Sequence, residues 1–456
     1  MSSPAAPATA PNSPANPRSR VIIASLVGTS IEFYDFYVYA TAAVIVFPAL
    51  FFPSDNAFAE QVLSFATFAL AFFARPLGSI VFGHFGDRIG RKATLVASLL
   101  TMGISTFLIG VLPTFEQIGV LAPILLAVMR FGQGLGLGGE WSGAALLATE
   151  NAPESKRGIF GSAPQLGAPI GFILANGLFL ILSLTLPQDA FLTWAWRIPF
   201  LLSAVLVIVG LYVRLKLVEA TVFQRAKERG EVAKLPLADV VRTAWRPLIL
   251  GTFIMLATYV LFYFMTAFTL SYGTTPLEGV AKPGLGFDRN TFLGLLLIGV
   301  VFFGITTPLA GWLADKYGRR RTLIVTTIGI LLFGLTFQVW LGQAQQDAFA
   351  AVTFLIVGLA LMGMTFGPMG ALLPELFPTR VRYTGSGISY NVASILGASL
   401  APYVALQLWT TDGDIFLVGL YLSGAALLTL VALLLTRETR DVSLDEEPST
   451  SGALAP

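Results

Sequence analysis

Residues 83–92 read GHFGDRIGRK, and residues 311–320 read GWLADKYGRR. Both decapeptides have a glycine, an aspartate four positions later, a basic residue, and then a glycine followed by two basic residues. The shared positions are Gly83, Asp87, Arg88, Gly90 and Arg91 in the first copy and Gly311, Asp315, Lys316, Gly318 and Arg319 in the second. The second copy begins 228 residues after the first, which is half of the 456-residue chain. A repeat at this spacing predicts two structurally equivalent halves.

A second motif recurs at almost the same separation. A glutamate, a proline three residues later and an arginine four residues after that occur twice, 225 residues apart. The members are Glu150, Pro153 and Arg157 in the first half and Glu375, Pro378 and Arg382 in the second. Two different motifs at matching offsets indicate a duplicated half.

The composition is that of a membrane protein. Charged residues make up 12% of the chain, hydrophobic residues make up 55%, and the mean hydropathy is +0.76. A soluble domain carries about 25% charged residues. The chain has no cysteine and a single histidine, His84, which excludes disulfides, cysteine nucleophiles and metal sites made of several histidines or cysteines.

Long apolar runs recur along the chain. A membrane-spanning helix needs about 20 mostly apolar residues. Twelve such runs are predicted, at 20–48, 57–84, 93–112, 118–147, 157–183, 194–217, 244–272, 290–313, 322–343, 348–373, 382–407 and 414–436. Together with the repeats, they predict an all-α membrane protein with twelve transmembrane helices in two pseudo-symmetric six-helix halves.

Basic residues concentrate in alternate loops. If the N-terminus is inside, cytoplasmic segments carry 23 of the 28 lysines and arginines, and the outer loops carry only Lys282 and Arg289. Because cytoplasmic loops are enriched in Lys and Arg, both termini are predicted to be cytoplasmic.

The chain divides into five predicted segments. Residues 1–19 are rich in Ala, Pro and Ser, a composition that cannot form a core, and are predicted to be a disordered cytoplasmic tail rather than a signal peptide. Residues 20–217 and 244–437 are the two six-helix bundles. The charged segment 218–243 is predicted to be a cytoplasmic linker containing a short amphipathic helix, and 438–456 a second cytoplasmic tail.

The paired decapeptides resemble the signature loop of the major facilitator superfamily, and residues 130–136 (RFGQGLG) resemble its fourth-helix motif. Four further segments resemble the metabolite:proton symporter family, which includes permeases for α-ketoglutarate, shikimate, citrate and proline or betaine. These segments are 32–36 (EFYDF), 74–78 (ARPLG), 138–140 (GGE) and 196–200 (WRIPF). The resemblance extends over about residues 20 to 440. It implies a secondary transporter of a bacterial inner membrane, with a substrate site between the halves.

Two acidic residues lie deep in the first predicted span. Glu32 and Asp35 are three residues apart and therefore share a helix face. The rise of about 1.5 Å per residue puts Asp35 near the bilayer midplane, where a charge is costly unless it is paired or hydrated. We interpret Asp35 as the proton carrier and Glu32 as the alternate. A static pair that tightens packing is the structural alternative.

Arg130 lies at the matching depth of the fourth span, which runs in the opposite direction. The resemblance implies that helices 1 and 4 both line the central cavity. We hypothesise an ion pair between Asp35 and Arg130, so that protonation of Asp35 frees Arg130 to bind a substrate carboxylate through two guanidinium nitrogens. A permanent structural salt bridge is the alternative.

Other polar side chains in the spans are candidate cavity residues. Arg75 is either a second carboxylate ligand or a residue that snorkels to the inner surface. Glu140 is either a buried acid bonded to neighbouring helices or a relay. The candidate substrate contacts are Gln133 and Tyr263 first, then Tyr259, Tyr390, Asn391 and Gln165, together with Asn176. Hydrogen bonding between helices explains each of these alone equally well.

The repeated loops are predicted to form a cytoplasmic gate. An aspartate can cap the N-terminus of a neighbouring helix, so Asp87 and Asp315 are expected to hold the outward-open state. Glu150 with Arg157, and Glu375 with Arg382, are expected to add to the same latch. This role is conformational rather than catalytic.

Two patterns suggest functions that their sequence context does not support. Residues 134–139 fit the GxGxxG dinucleotide spacing but lie inside a predicted span without a preceding strand. The pairs Gly132/Gly136 and Gly134/Gly138 instead suit close contact between helices. His84 falls in the gate loop, where a surface role is expected rather than a proton relay.

The expected function is proton-coupled symport of a small mono- or dicarboxylate by alternating access. The alternatives are a symporter of zwitterions or compatible solutes, a proton-coupled drug or metabolite antiporter, and a transport-like receptor. The sequence has no phosphate-binding loop, metal cluster or nucleophile elbow, so neither an enzymatic activity nor a cofactor is expected. The expected partners are the organic acid, protons and the lipid bilayer, with no nucleic acid, and the protein is expected to be a monomer.

Overall fold

The computed structural model describes residues 18–55, 57–216, 236–278, 282–409 and 415–442. The predicted tail before residue 18, most of the predicted linker and the predicted tail beyond residue 442 lie outside the described residues. The described end of the linker forms a short helix, Pro236–Thr243.

The described chain consists of long apolar helices joined by short loops. The first six are α1 (Arg18–Ile45), α2 (Ala57–Arg88), α3 (Arg91–Val111), α4 (Leu121–Glu150), α5 (Glu154–Thr185) and α6 (Ile198–Leu215). The second six are α7 (Trp245–Thr274), α8 (Arg289–Tyr317), α9 (Arg319–Leu335 with Phe337–Gln343), α10 (Ala348–Glu375), α11 (Thr379–Gln407) and α12 (Ile415–Leu435). An α-helix satisfies its own backbone hydrogen bonds, which lipid cannot do.

The predicted count of twelve spans is confirmed, with one irregular member. Eleven helices are long and apolar enough to cross a membrane by themselves, and the two pieces of α9 meet at a bend of 57°. The predicted span 322–343 therefore corresponds to a broken helix.

Tight turns connect α2 to α3 and α8 to α9. Gly90 has φ of 127° and Gly318 has φ of 104°, values that residues with a side chain rarely adopt. A Cβ atom at Gly318 would also lie 2.4 Å from Glu438 Oε2. The repeated motif thus needs glycine at both positions because the chain reverses there without any connecting segment.

The helix packing repeats after six helices, as two pseudo-symmetric halves require. In the first half α2 packs on α4, α3 on α6 and α1 on α5, and the equivalent contacts in the second half are α8 on α10, α9 on α12 and α7 on α11. The halves meet through α2 with α11 and through α5 with α8, which are also equivalent pairs. The pseudo-symmetry predicted from the two repeats is confirmed.

Glycines bring α4 close to its neighbours. A Cβ atom at Gly134 would lie 2.6 Å from the carbonyl oxygen of Ala71, and one at Gly138 would lie 2.0 Å from that of Arg75. Gly136 makes an equally close approach to α3. The predicted close helix contacts are therefore confirmed, and they fix Arg75 of α2 directly beside α4.

Candidate functional site

Arg130 lies in the middle of the first half, fully buried. Its guanidinium carbon is 4.0 Å from the ring centroid of Tyr39, 4.8 Å from that of Phe36 and 4.9 Å from that of Phe68. Rings at this distance stabilise a cation through their electron-rich faces. Nη1 donates to Gln133 Oε1 at 3.0 Å, whereas Nε and Nη2 have no hydrogen-bond partner among the described residues.

A chain of hydrogen bonds runs from Arg130 to Asp35. Gln133 Nε2 donates to Thr106 Oγ1 at 2.7 Å, and Thr106 Oγ1 donates to Asp35 Oδ2 at 3.0 Å. All four side chains are fully buried. The chain connects α4, α3 and α1, so Asp35 and Arg130 are linked through two uncharged side chains.

The hypothesised direct ion pair between Asp35 and Arg130 is wrong for this state of the protein. Matching depth along two helices does not make two side chains face each other, and here Thr106 and Gln133 fill the space between them. Arg130 forms no ion pair with any carboxylate in the described part of the chain.

Glu32 lies one turn before Asp35 on α1 and is also fully buried. Neither of its carboxylate oxygens has a hydrogen-bond partner among the described residues. The positive charges of Arg75 and Arg214 act on it electrostatically. Arg214 is itself paired with Glu140, which also accepts a hydrogen bond from Ser98 at 3.0 Å. Glu140 is therefore the buried acid bonded to neighbouring helices, whereas Glu32 forms no hydrogen bond with the described residues.

The surface where the halves meet, formed by α2 with α11 and by α5 with α8, is here called the seam. Arg75 points into this seam and does not snorkel to the inner membrane surface. Its side chain is 3% exposed, and Nε donates to Asn391 Oδ1 of α11 at 2.9 Å. Asn391 in turn donates to Ser79 and to the carbonyl oxygen of Gly138. The Phe36 ring centroid lies 5.9 Å from the guanidinium carbon of Arg75, so the same ring neighbours both buried arginines.

Aromatic side chains of both halves close the space beside the two arginines. The rings of Trp141 and Tyr390 stack at 4.0 Å with an interplanar angle of 6°. Tyr259 packs on Tyr390 at 5.4 Å, and its hydroxyl has no hydrogen-bond partner among the described residues. Tyr263 contacts Phe72 of the other half at 5.9 Å.

Two predicted candidates bond inside the packed interior. Gln165 accepts a hydrogen bond from Trp141 Nε1 at 2.8 Å and donates to the carbonyl oxygen of Phe366 in the other half. Asn176 accepts a hydrogen bond from Thr41 at 2.9 Å. Both contacts match the alternative of hydrogen bonding between helices.

The repeated aspartates cap helices of the opposite half. Asp87 Oδ2 accepts from the Thr384 backbone N at 3.1 Å and from Thr384 Oγ1 at 2.7 Å. Asp315 accepts from the backbone N atoms of Gly158 at 2.7 Å and Ile159 at 2.9 Å. A carboxylate at a helix N-terminus is stabilised by unpaired N–H groups and by the helix dipole. The halves are therefore fastened twice, at equivalent points of α11 and α5.

The predicted acid–base pairs of the latch are wrong in their partners. Glu150 pairs with Arg382 of the other half at 3.9 Å, and Glu375 pairs with Arg319 at 3.3 Å. Arg157 pairs with Glu154 at 3.6 Å and donates to the carbonyl oxygen of Val442. The repeat identifies which glutamates and arginines form ion pairs. It does not show whether the partner of each one lies in the same half or in the other half.

The remaining loop residues lie either on the surface or directly against the capped helix ends. His84 and the exposed Arg88 contact each other at 3.0 Å, in keeping with the expected surface position of His84. Lys316 lies over the rings of Trp312 and Tyr317. Gly83 and Gly311 allow close approach, because Cβ atoms there would lie 2.8 Å from Thr384 Oγ1 and 2.6 Å from the carbonyl oxygen of Gly158.

Several residues that build this region have contacts that the sequence did not predict. Thr106 and Trp141 are buried in spans, and Tyr383 donates from α11 to the carbonyl oxygen of Gly139. Glu438 caps the N-terminus of α9 through Arg319 N at 2.8 Å and Arg320 N at 3.1 Å. A threonine at the depth of Asp35 and Arg130 was a usable signal for Thr106, whereas aromatic residues in apolar helices give no such signal.

Comparison with known proteins identifies the family. A model of the major facilitator superfamily matches residues 26–402. The chain is 59% identical over 432 residues to the inner membrane metabolite transport protein YhjE of Escherichia coli K12, covering 94% of this chain and 97% of that protein. It is 36% identical to the shikimate transporter of the same strain (92% and 95% covered) and 31% identical to the proline/betaine transporter of Salmonella typhimurium (92% and 83% covered).

The fold is also that of solved transporters. The proton:xylose symporter XylE bound to 6-bromo-6-deoxy-D-glucose superposes with a TM-score of 0.72 at 18% identity, covering 94% of this chain and 98% of that one. At this identity the likeness concerns the fold alone. With the sequence relatives and the twelve spans, it follows that this chain belongs to the major facilitator superfamily and is a membrane transporter of metabolites.

Proposed function

We propose that the protein is a proton-coupled symporter of a small organic acid, a mono- or dicarboxylate, with both termini on the cytoplasmic side of a bacterial inner membrane. The observation that carries this proposal is the state of Arg130. Two of its guanidinium nitrogens have no partner among the described residues, and no described carboxylate pairs with it. A buried guanidinium without a counter-ion is costly, so an anionic ligand is the partner that this position lacks.

Charge balance supports coupling to protons. Two arginines, Arg75 and Arg130, and two acids, Glu32 and Asp35, are buried in the centre without ion pairs among the described residues. With both acids ionised the four side chains have no net charge, and each proton taken up adds one positive charge. A carboxylate then enters a site whose charge it neutralises, so that proton and substrate favour each other's binding.

The fastened loops support alternating access. The capping contacts of Asp87 and Asp315 close one end of the seam, and inward opening requires them to break. We propose that residues 20–217 and 244–437 rock as two units about the central site, with 218–243 as their connection. The orientation follows from the basic loops.

One observation favours zwitterionic substrates as a second candidate. Neither carboxylate oxygen of Glu32 has a hydrogen-bond partner among the described residues, and Phe33, Phe36 and Tyr37, which follow it on the same helix, pack on one another. An ionised Glu32 among aromatic rings suits a substrate cation, with Arg130 binding its carboxylate. The 31% sequence identity with a proline/betaine transporter also supports this alternative.

Uptake into proteoliposomes tests both candidates. Radiolabelled mono-, di- and tricarboxylates and zwitterions are offered with and without an inward proton gradient. Accumulation of one carboxylate only with the gradient is expected. Accumulation of a zwitterion alone selects the second candidate, release of a preloaded compound in exchange for protons indicates antiport, and binding without flux indicates a receptor.

Removing one cap should open the seam. Asp87→Asn retains the shape of the side chain but not its charge, and hydrogen bonds to a charged group contribute about 1.5–3 kcal/mol. We expect the open population to rise about tenfold or more. Because the chain has no cysteine, a single cysteine at Ser142, which faces Gly387 across the seam, reports opening by its rate of maleimide labelling.

Matched variants make this test specific. Asp315→Asn removes the equivalent cap and should increase labelling in the same direction. Asp189→Asn removes an exposed carboxylate remote from the seam and should leave labelling unchanged. An unchanged rate in both cap variants would show that the aspartates do not hold the seam closed.

A further inference from the structure

The link between Asp35 and Arg130 passes through one hydroxyl group. Thr106 Oγ1 lies 3.0 Å from Asp35 Oδ2, 2.7 Å from Gln133 Nε2 and 3.0 Å from the carbonyl oxygen of Met102. Its side chain is fully buried. Thr106 therefore has three partners and a single proton to donate.

The chemistry of Arg130 fixes the orientation of Gln133. A guanidinium group only donates hydrogen bonds, so the Gln133 amide must turn its oxygen towards Arg130 Nη1. Its nitrogen then faces Thr106, and Thr106 Oγ1 must accept that hydrogen bond. The Thr106 proton is left with two possible acceptors, Asp35 Oδ2 and the Met102 carbonyl oxygen.

The choice between these acceptors depends on the protonation of Asp35. An ionised Asp35 only accepts hydrogen bonds, and the stronger, charge-assisted bond draws the Thr106 proton towards it. A protonated Asp35 can donate its own proton to the second lone pair of Thr106 Oγ1, and the Thr106 hydroxyl then turns to the Met102 carbonyl. The heavy atoms stay in place while the direction of the Asp35–Thr106 bond reverses.

This reversal reaches Arg130 through Gln133. Hydrogen bonds in a chain polarise one another in a low-dielectric interior. With Asp35 ionised, all three bonds point from Arg130 towards the negative charge, which strengthens the bond that holds Arg130 Nη1. With Asp35 protonated, the chain loses this polarisation, and Arg130 is free to bind a carboxylate more strongly.

We propose that Thr106 is the positioning residue that transmits the protonation state of Asp35 to the substrate site at Arg130. The inference rests on the proposed symport function and specifies how its two ends communicate. It explains coupling between two charges that do not touch, without any movement of a helix.

A second hydroxyl beside Asp35 provides a matched control. Ser203 of α6 is fully buried and its hydroxyl interacts with the same carboxylate, but it has no hydrogen bond to Gln133 among the described residues. The ionisable group that acts on Asp35 among the described residues is Tyr34 on the same helix, and the Tyr34 hydroxyl donates to the carbonyl oxygen of Pro199 at 2.8 Å. Among the described residues, Asp35 is joined to Arg130 only through Thr106 and Gln133.

The test separates exchange from accumulation in proteoliposomes, with the substrate found in the uptake panel. Exchange of internal for external substrate needs binding and rocking but no net proton movement, whereas accumulation needs coupling. Thr106→Val (T106V), which retains shape without the hydroxyl, is expected to lower gradient-driven accumulation about tenfold while exchange stays within about twofold, since it removes a charge-assisted bond. Thr106→Ser (T106S) and Ser203→Ala (S203A) are expected to accumulate like the unmodified protein.

The other outcomes overturn the inference. Normal accumulation by T106V shows that no hydroxyl relay is needed. Equal losses in T106V and S203A show that coupling depends on both hydroxyls beside Asp35 and not on the link from Thr106 to Gln133. Loss of exchange together with accumulation, in T106V and in Thr106→Ala (T106A) as the second variant, indicates a purely structural role. Failure of the proposed function itself is recognised separately, because the unmodified protein would then accumulate no carboxylate.

Discussion

Replacing Arg130 by lysine is expected to weaken binding of the carboxylate substrate by about 100-fold, which corresponds to about 2.7 kcal/mol. Lysine keeps the positive charge within the rings of Phe36, Tyr39 and Phe68, so the fold should be preserved. It cannot bind Gln133 and also present two parallel N–H groups to a carboxylate. Direct binding of the radiolabelled substrate to the purified protein measures the loss.

The control for this variant is another arginine in the same half. Arg197 lies at the opposite end of the bundle from the repeated loops and donates to the carbonyl oxygens of Gly110 at 2.9 Å and Leu112 at 2.7 Å. Arg197→Lys should leave the affinity within about twofold, because a lysine there still reaches a carbonyl oxygen. If Arg130→Lys binds substrate as tightly as the unmodified protein, Arg130 is not the carboxylate ligand and its aromatic surroundings serve stability alone.

The fold was predictable because it depends on features that are local in the sequence. Twelve apolar runs and two repeated motifs define the spans and their pseudo-symmetry, and the glycines of α4 indicate which face packs closely. The bend at α9 was not predicted because Thr336, where the two pieces meet, is neither proline nor glycine.

The sequence predicted which residues form the central site better than it predicted which of their side chains touch. Depth along a span predicts that Asp35 and Arg130 occupy the same layer, but the rotation of each helix decides which side chains touch. Neighbouring helix axes lie about 8–10 Å apart, which leaves room for the intervening Thr106 and Gln133. Similarly, the repeat identified Glu150 and Arg382, but only the packing of the halves shows that they pair with each other.

The aromatic surroundings of Arg130 could not be read from the sequence. The chain has 36 phenylalanines and 12 tyrosines, and most of them serve the apolar surface and the packing of spans. Phe36 and Tyr39 differ from these only in facing α4 at the depth of a buried charge. Their importance follows from the position of Arg130, which is a property of the folded structure.

Asp35→Asn is expected to abolish coupling while leaving the transport cycle intact. The asparagine oxygen can still accept from Thr106 at the position of Asp35 Oδ2, but the side chain cannot gain or lose a proton. A symporter that carries one proton with a monocarboxylate can accumulate substrate about tenfold per pH unit, since each unit is worth about 1.36 kcal/mol. In the variant we expect the substrate to reach only equal concentrations inside and outside the vesicles. Exchange of internal for external substrate should be retained.

The same charge balance predicts the stoichiometry. A dicarboxylate brings two negative charges to Arg75 and Arg130, so neutralisation requires protons on both Asp35 and Glu32, whereas a monocarboxylate requires one. Glu32→Gln removes one of the two negative charges and should therefore reduce the proton-to-substrate ratio for a dicarboxylate from two to one. Proton flux measured beside substrate flux in the same vesicles gives the ratio. Full gradient-driven accumulation in Asp35→Asn would instead assign the coupling proton to Glu32, the other central carboxylate without an ion pair in the described residues.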